Sequence, residues 1–336
     1  MNRRVLLSWL GAAGVSALAD HKGTPALATR ETAAGWQKYR GNPVLGGEYG
    51  TCFDICVIQD NGTFRMWVSW RPKKSIALSE SSDGIHWSAP RIVLAPNPAS
   101  GWEDDINRPA VFRRADGYHM WYTGQTWSPT PSREGRQDGN SAIGYATSSD
   151  GVNWTRRTSQ PALSPQLPWE DVAVMCPDVL WDEKNGQWRM WYSGGAQYEP
   201  NAIGHATSKD GTNWVKDPGN PIFRPDARFD WEKQRVAGIQ VIPHGDWFYA
   251  FYIGYRDIDH AQIGLARSRD GLHDWERCPS NPIIRAIGDG FDADACYKPY
   301  AVYSNGKWML WYNGRNVHLE QIGLATHDGP SLGFQD

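Results

Sequence analysis

Four kinds of short strand recur in the same order along most of the chain, each a brief apolar run closed by polar turn residues. The first carries a proline or small residue near its start: Asp54-Ile55-Cys56-Val57, Arg108-Pro109-Ala110-Val111, Cys176-Pro177-Asp178-Val179, Ala237-Gly238-Ile239-Gln240 and Lys298-Pro299-Tyr300-Ala301. The second is aromatic: Met66-Trp67-Val68, Met120-Trp121-Tyr122, Met190-Trp191-Tyr192, Ala250-Phe251-Tyr252 and Leu310-Trp311-Tyr312. The third is built on small residues, as in Ile143-Gly144-Tyr145-Ala146, with counterparts at Ile76, Ile203, Ile263 and Ile322. Its glycines permit close packing of sheets. The fourth follows an Asp-Gly turn and bears a tryptophan: Asp83-Gly84 with Trp87, Asp150-Gly151 with Trp154, Asp210-Gly211 with Trp214 and Asp270-Gly271 with Trp275. Asp-Gly supplies the positive-φ residues of tight hairpins, so these aspartates are read as turn formers.

Strands repeated in this way predict an all-β fold, a five-bladed β-propeller with one four-stranded sheet per blade. The fifth copy reaches Asp328-Gly329 and lacks its Trp strand. At the other end of the chain, residues 36–45 match the fourth strands at 214–223 and 275–284 in their Trp, their basic residue and their Asn-Pro step. An N-terminal strand over residues 36–46 is therefore expected to complete the last blade and pair edges that would otherwise stay exposed.

Composition agrees: 19 Trp, 14 Tyr, 35 Gly and 22 Pro suit many short strands joined by turns. A net charge of -3 without a long basic run argues against a nucleic-acid partner. Met1-Asn2-Arg3-Arg4, the apolar run Val5 to Leu10 and the small residues that follow have the layout of a twin-arginine export signal. Residues 1–28 are thus expected to be a leader, cut after Ala19 or Ala28, and 29–336 one exported, periplasmic or extracellular domain, a monomer without a membrane span. Five cysteines are not a disulfide framework. Cys52 and Cys296 are either a bridge between first and last blades or buried free thiols.

In such blades the lead-in to strand one and the loop between strands two and three share a rim, opposite the Asp-Gly turns. That rim holds the long loop Gln125 to Ser141 and the acidic, aromatic lead-ins Trp102-Glu103-Asp104-Asp105, Trp169-Glu170-Asp171, Asp230-Trp231-Glu232 and Phe291-Asp292-Ala293-Asp294. Strand alternation puts Asp54, Arg108, Asp178 and Lys298 on one face, converging near the axis. Convergent carboxylates between aromatic walls fit glycoside chemistry, in which one carboxyl protonates the leaving oxygen while another activates water or attacks carbon. The alternative for Trp102, Trp169, Glu103 and Glu170 is structural: aromatic plugs between blades and acids that cap loops or pair with bases. His260 and His318 precede third strands, where they face the funnel or make ordinary hydrogen bonds.

The pattern resembles the five-bladed propeller glycosidases, glycoside hydrolase families 43, 32, 62, 68 and 130, over essentially the whole mature chain. The resemblance implies that Asp54 is a general base or nucleophile. It implies a second acid where this chain reads Asn107-Arg108-Pro109, and a third where it reads Met175-Cys176-Pro177-Asp178. Asp178 or Glu170 is then expected as the acid, with Asp105 tuning its pKa. Trp102, Glu103, Arg108, Trp169, Arg235, Asp294, Lys298, His318 and Glu320 are expected to bind substrate. No cofactor is required, and a central calcium ion has no distinctive motif. Arg108, Arg235 and Lys298 near the rim also keep a phosphorolytic reading open, and the missing acids keep open a carbohydrate-binding propeller without catalysis.

Overall fold

The computed structural model describes residues 31–127, 139–198 and 200–334. The leader and most of the loop Gln125 to Ser141 lie outside these residues. The described chain is all-β, of propeller type, with only single-turn 3-10 helices between strands. None of its helices is long and apolar enough to cross a membrane.

Its strands are β1 (Gln37–Lys38), β2 (Cys52–Asp60), β3 (Thr63–Trp70), β4 (Ser75–Ser81), β5 (Arg91–Leu94), β6 (Asp105–Arg114), β7 (Gly117–Gln125), β8 (Ser141–Ser148), β9 (Thr155–Arg156) and β10 (Ala173–Asp182). They continue as β11 (Gln187–Gly195), β12 (Pro200–Ser208), β13 (Val215–Lys216), β14 (Arg235–His244), β15 (Trp247–Asp257), β16 (His260–Ser268), β17 (Glu276–Arg277), β18 (Ala295–Ser304), β19 (Lys307–Asn316) and β20 (Leu319–Asp328). Antiparallel pairing groups them into four-stranded units β2–β5, β6–β9, β10–β13, β14–β17 and β18–β20 with β1. A parallel bridge between Ala173 and Ser141 joins the second and third units into one larger sheet.

The N-terminal strand lies where the repeat predicts. β1 pairs antiparallel with β20, Gln37 opposite Thr326 and Lys38 opposite Ala325. The Asn42 side chain exchanges hydrogen bonds with the Leu324 backbone, as Asn220 does with His205 and Asn281 with Leu265. Four of the five fourth strands, β9, β13, β17 and β1, share one further device. Each sends a base inward to a buried acid that also accepts a tyrosine hydroxyl: Arg156 to Glu103 with Tyr122, Lys216 to Glu170 with Tyr192, Arg277 to Glu232 with Tyr252, and Lys38 to Asp292 with Tyr312.

The Asp-Gly turns are structural, as read. Asp150 Oδ1 accepts two backbone N–H groups at 2.8 Å, from Val152 and Asn153, and Asp83, Asp210 and Asp270 accept in the same way. Each turn also receives the second-strand tryptophan of a neighbour: Trp67 Nε1 donates to Gly151 O, Trp121 to Gly211 O, Trp191 to Gly271 O, and Trp311, in the last unit, to Gly84 O in the first. The tryptophan is thus both core and clasp, since its ring fills the space between sheets while its N–H is satisfied across the seam. All five cysteines are buried and free.

Candidate functional site

Every first strand breaks its pairing at the same place. The register shifts fall between Phe53 and Cys56, Asn107 and Ala110, Met175 and Asp178, Ala237 and Gln240, and Tyr297 and Tyr300. Within each bulge one residue has a left-handed backbone: Asp54 (φ 50), Arg108 (φ 53), Cys176 (φ 52), Gly238 (φ 51) and Lys298 (φ 46). For a residue with a β-carbon this conformation costs about 1–2 kcal/mol. It persists because the bulge N–H is taken by the preceding unit: Ser69 Oγ accepts from Arg108 at 2.8 Å, Thr123 Oγ1 from Cys176 at 3.2 Å and Ser193 Oγ from Gly238 at 2.9 Å. Asn313 Oδ1, on the last unit, accepts from Asp54 on the first at 3.1 Å. Bulges re-aim side chains, and these aim Asp54 and Arg108 into one cavity.

Simple alternation miscounts through the bulge, which corrects the expected face. The counterparts of Asp54 are Arg108, Cys176, Gly238 and Lys298, whereas Asp178 falls in the slot of Cys56, Ala110, Gln240 and Tyr300. Asp178 lines a separate cavity, with Gln240 and Tyr300. There Asp178 Oδ2 accepts the Val241 N–H at 2.8 Å, a stitch between units like that of Gln240 Oε1 with the Ala301 N–H. Burial raises its pKa to about 7, against the opposing pull of the Val241 N–H and Lys298.

This shift carries a stability prediction. Between about pH 4 and 7 folded Asp178 keeps a proton that the unfolded chain has lost, so its contribution is full below the unfolded pKa and is lost as pH rises through 7. A rise from the ordinary 3.8 to about 7 corresponds to roughly 4 kcal/mol. Asp178→Asn is expected to raise the denaturation midpoint at pH 8 and leave it nearly unchanged at pH 4. A midpoint that responds equally at both pH values would contradict the assigned titration.

Among the described residues the cavity that holds Asp54 is lined by Phe53, Arg71, Asn107, Arg108, Trp127 and Tyr297, with Glu320 as its other carboxyl. Asp54 is 4% exposed. Among the described residues its Oδ2 accepts no hydrogen bond, although Arg108 Nε lies 3.3 Å away, and Asn313 Nδ2 reaches Oδ1 at 3.4 Å. Burial raises its pKa, Arg108 and Lys298 draw it back, and the charge of Glu320 raises it further. Glu320 Oε2 accepts from Arg71 Nη2 at 2.9 Å and Nε at 3.2 Å, while the Tyr297 hydroxyl donates to Oε1. Asp105 stands beside this cavity, accepting from Trp127 Nε1 at 2.9 Å and Asn107 Nδ2 at 3.1 Å; burial raises its pKa.

Several expected site residues are placed elsewhere. Glu170 is fully buried and accepts from Lys216 Nζ at 2.6 Å, Tyr192, and the Gln166 and Leu167 backbone; burial alone would raise its pKa, yet these donors hold it below the usual range. Glu103 is equally buried, held by Arg156 and Tyr122. Neither lines the Asp54 cavity. Trp102 and Trp169 lie flat against glycines of the second and third strands, Gly124 and Gly144 for Trp102, where any β-carbon would collide with the ring. These four residues therefore take the structural role left open above. Arg235 is half-buried at the start of β14, outside the lining of both rim cavities. Lys298 is buried at its bulge, where its charge acts on both Asp54 and Asp178. Asp294 and His318 line a second rim cavity with Glu320.

Arg71, Tyr297 and Asn313 were missed by sequence reasoning. Asn313 had a signal, since it occupies the slot of Ser69, Thr123, Ser193 and Ile253 when the second strands are superposed. Arg71 sits on a turn that does not repeat.

The fold is all-β and built of repeated four-stranded units, with a carboxyl and an arginine aimed into one cavity. Residues 57–203 match the sequence model of the glycosyl hydrolases family 32 N-terminal domain. The sucrose:sucrose 1-fructosyltransferase of Festuca arundinacea is 27% identical over 219 residues, 63% of this chain and 31% of that enzyme. An uncharacterised Mycobacterium tuberculosis protein is 28% identical over 187 residues, 52% of this chain and 57% of that protein. The chain thus spans little more than half the length of the Mycobacterium protein and under a third of the plant enzyme. Among solved structures, a thermostable family-43 glycoside hydrolase superposes with TM-score 0.65 at 17% identity, covering 88% of this chain and 97% of that one. A member of family 130, the mannoside phosphorylases that include glycoside hydrolases acting on β-1,2 mannosidic linkages, gives 0.64 at 17%, covering 93% and 99%. The fold is thus that of the propeller glycosidases, and residues 57–203 are similar in sequence to the family 32 N-terminal domain.

Proposed function

We propose that this protein is an exported glycoside hydrolase whose five four-stranded units are the blades of one ring, and that it cleaves a glycan or oligosaccharide at Asp54. The observation that carries the reading is the buried Asp54 carboxyl lining the cavity, with an oxygen that accepts no hydrogen bond from the described residues. A carboxyl whose pKa burial raises above the ordinary carboxylate value is suited to exchange a proton with water or a glycosidic oxygen. Glu320 is the second carboxyl of the cavity, oriented by Arg71 and Tyr297, and takes the place that the resemblance gives to Asp178 or Glu170. Arg108 turns the Asp54 carboxyl toward the cavity and donates to substrate hydroxyls. The run Arg3-Arg4 to Ala19 supports the export leader.

Phosphorolysis is a second reading, favoured by Arg71, Arg108 and Arg315 around one cavity. Incubation with sucrose, 1-kestose, 1,5-α-L-arabinobiose and β-1,2-mannobiose, with and without inorganic phosphate, separates the readings. Release of free sugar in phosphate-free buffer supports hydrolysis. Product that forms only with phosphate, as a sugar phosphate, assigns phosphorolysis, and binding without cleavage assigns a propeller that has lost catalysis.

A further inference from the structure

Of the five left-handed bulge residues, Asp54 alone is an acid; its counterparts are Arg108, Cys176, Gly238 and Lys298. The slot that faces each bulge from the preceding unit varies with it. Ser69 meets Arg108, Thr123 meets Cys176 and Ser193 meets Gly238, each through a hydroxyl, and Ile253 fills the slot in the unit before Lys298. Asp54 instead meets an amide, that of Asn313. A hydroxyl therefore suffices to take a bulge N–H, and the Lys298 bulge forms at φ 46 with no polar side chain in that slot. The bulge by itself does not call for an amide.

An amide carries an acceptor oxygen and a donor nitrogen on one rigid plane. The Asp54 N–H can only donate, so it takes Asn313 Oδ1, at 3.1 Å, and this orientation sends Asn313 Nδ2 to Asp54 Oδ1, at 3.4 Å. From the first unit, Ser69 Oγ donates to the Asp54 carbonyl at 3.4 Å. The N–H, the carbonyl and one carboxyl oxygen of this left-handed residue are thus all tied, and Arg108 Nε lies 3.3 Å from the other oxygen. Asn313 is fully buried and, among the described residues, is not part of the wall of the Asp54 cavity. Its influence on a bound molecule can pass only through Asp54.

Resting on the reading that Asp54 is the reacting carboxyl, we infer that Asn313 is a positioning residue: it fixes the orientation of the Asp54 carboxyl and favours its charged form, so that the last unit sets the reacting group carried by the first. Donation from Nδ2 stabilises the carboxylate. It acts with the charges of Arg108, Lys298 and Arg71, and against burial and the charge of Glu320.

The test compares Asn313→Ser, which copies the device of Ser69 and Ser193, with Asn313→Asp, which keeps the shape and the acceptor but replaces the donor by a carboxyl. Turnover is measured on whichever of sucrose, 1-kestose, 1,5-α-L-arabinobiose and β-1,2-mannobiose the parent cleaves. The Asp54 carboxyl is followed against pH by NMR of protein labelled at its aspartate carboxyl carbons, its signal identified by its loss in Asp54→Asn protein. In Asn313→Ser the expected result is a thermal midpoint close to the parent's, a kcat lower by roughly 10- to 100-fold, the scale on which a misplaced reacting group acts, and an Asp54 titration moved to higher pH. KM should change little, because Asn313 does not line the cavity. In Asn313→Asp two neighbouring carboxyls share one proton, so the titration moves higher still. Should Asn313→Ser not fold, the isosteric Asn313→Asp carries the test alone. An Asp54 titration that stays at the parent's value in both variants, whether kcat is unchanged or falls only with the thermal midpoint, makes Asn313 a backbone stitch and overturns the inference. If the parent cleaves none of these sugars, the hydrolase reading loses its support, and the titration alone decides: a move to higher pH upholds the hold of Asn313 on the carboxyl, and no move overturns it.

Discussion

Asp54→Asn protein is expected to fold as the parent does and to lose roughly 100- to 10,000-fold in turnover, the range that positioned acid–base groups supply. The amide preserves the shape at the bulge and leaves Asn313 in place to accept the Asp54-position N–H. What it removes is a carboxyl that burial has moved upward and that can exchange a proton. The same burial makes the carboxylate costly to the fold, so the variant is expected to be at least as stable as the parent at neutral pH, where a neutral side chain suits the site better. Stability retained with activity lost is the signature of a group kept for chemistry. The pairing of readouts is what tests it: turnover on a cleaved oligosaccharide, and a denaturation midpoint at pH 7. Unchanged turnover removes Asp54 from the reaction.

Lys38→Met is expected to destabilise the protein by about 3–5 kcal/mol, because it leaves the buried Asp292 carboxylate without its cation. Lys38 Nζ lies 2.7 Å from Asp292 Oδ2, with side chains 10% and 6% exposed, and also donates to Arg285 O at 2.9 Å. The acid keeps the Tyr312 hydroxyl and the weak Cys296 thiol donor, yet neutral donors do not replace an ammonium in a buried site. Adding Asp292→Asn to Lys38→Met should recover much of the loss, since no charge is then stranded. Urea denaturation of the parent and both variants checks this, and a single-variant loss below about 1 kcal/mol, the range of exposed pairs, would mean that β1 is not an integral strand of the last unit.

Lys38 and Asp54 differ in how far the sequence reveals their surroundings. Lys38 was legible: its place after Trp36 and before Asn42-Pro43 copies Lys216 and Arg277, and the structure gives all three a buried acid to meet. Asp54 was legible as an acid at the start of a first strand. Its true companions were not. Counting every second residue along an ideal strand placed Asp178 beside Asp54, but the bulge inserts a left-handed residue and shifts the count, sending Asp178 to a separate cavity. Likewise Glu103 and Glu170 share a lead-in with residues that do face the rim, and only the three-dimensional position of Arg156 and Lys216, some fifty residues away in sequence, shows them to be buried anchors.

Strand order, the repeated unit, the turn aspartates and the N-terminal complement were determined by the sequence alone, because each rests on local pattern: apolar runs, Asp-Gly turns and a recurring Trp at fixed spacing. Which carboxyls share a cavity was decided only by tertiary structure. A cavity is assembled from single residues of several units, here Asp54, Arg71, Arg108, Tyr297 and Glu320, and their convergence depends on bulges and seams that no one repeat encodes.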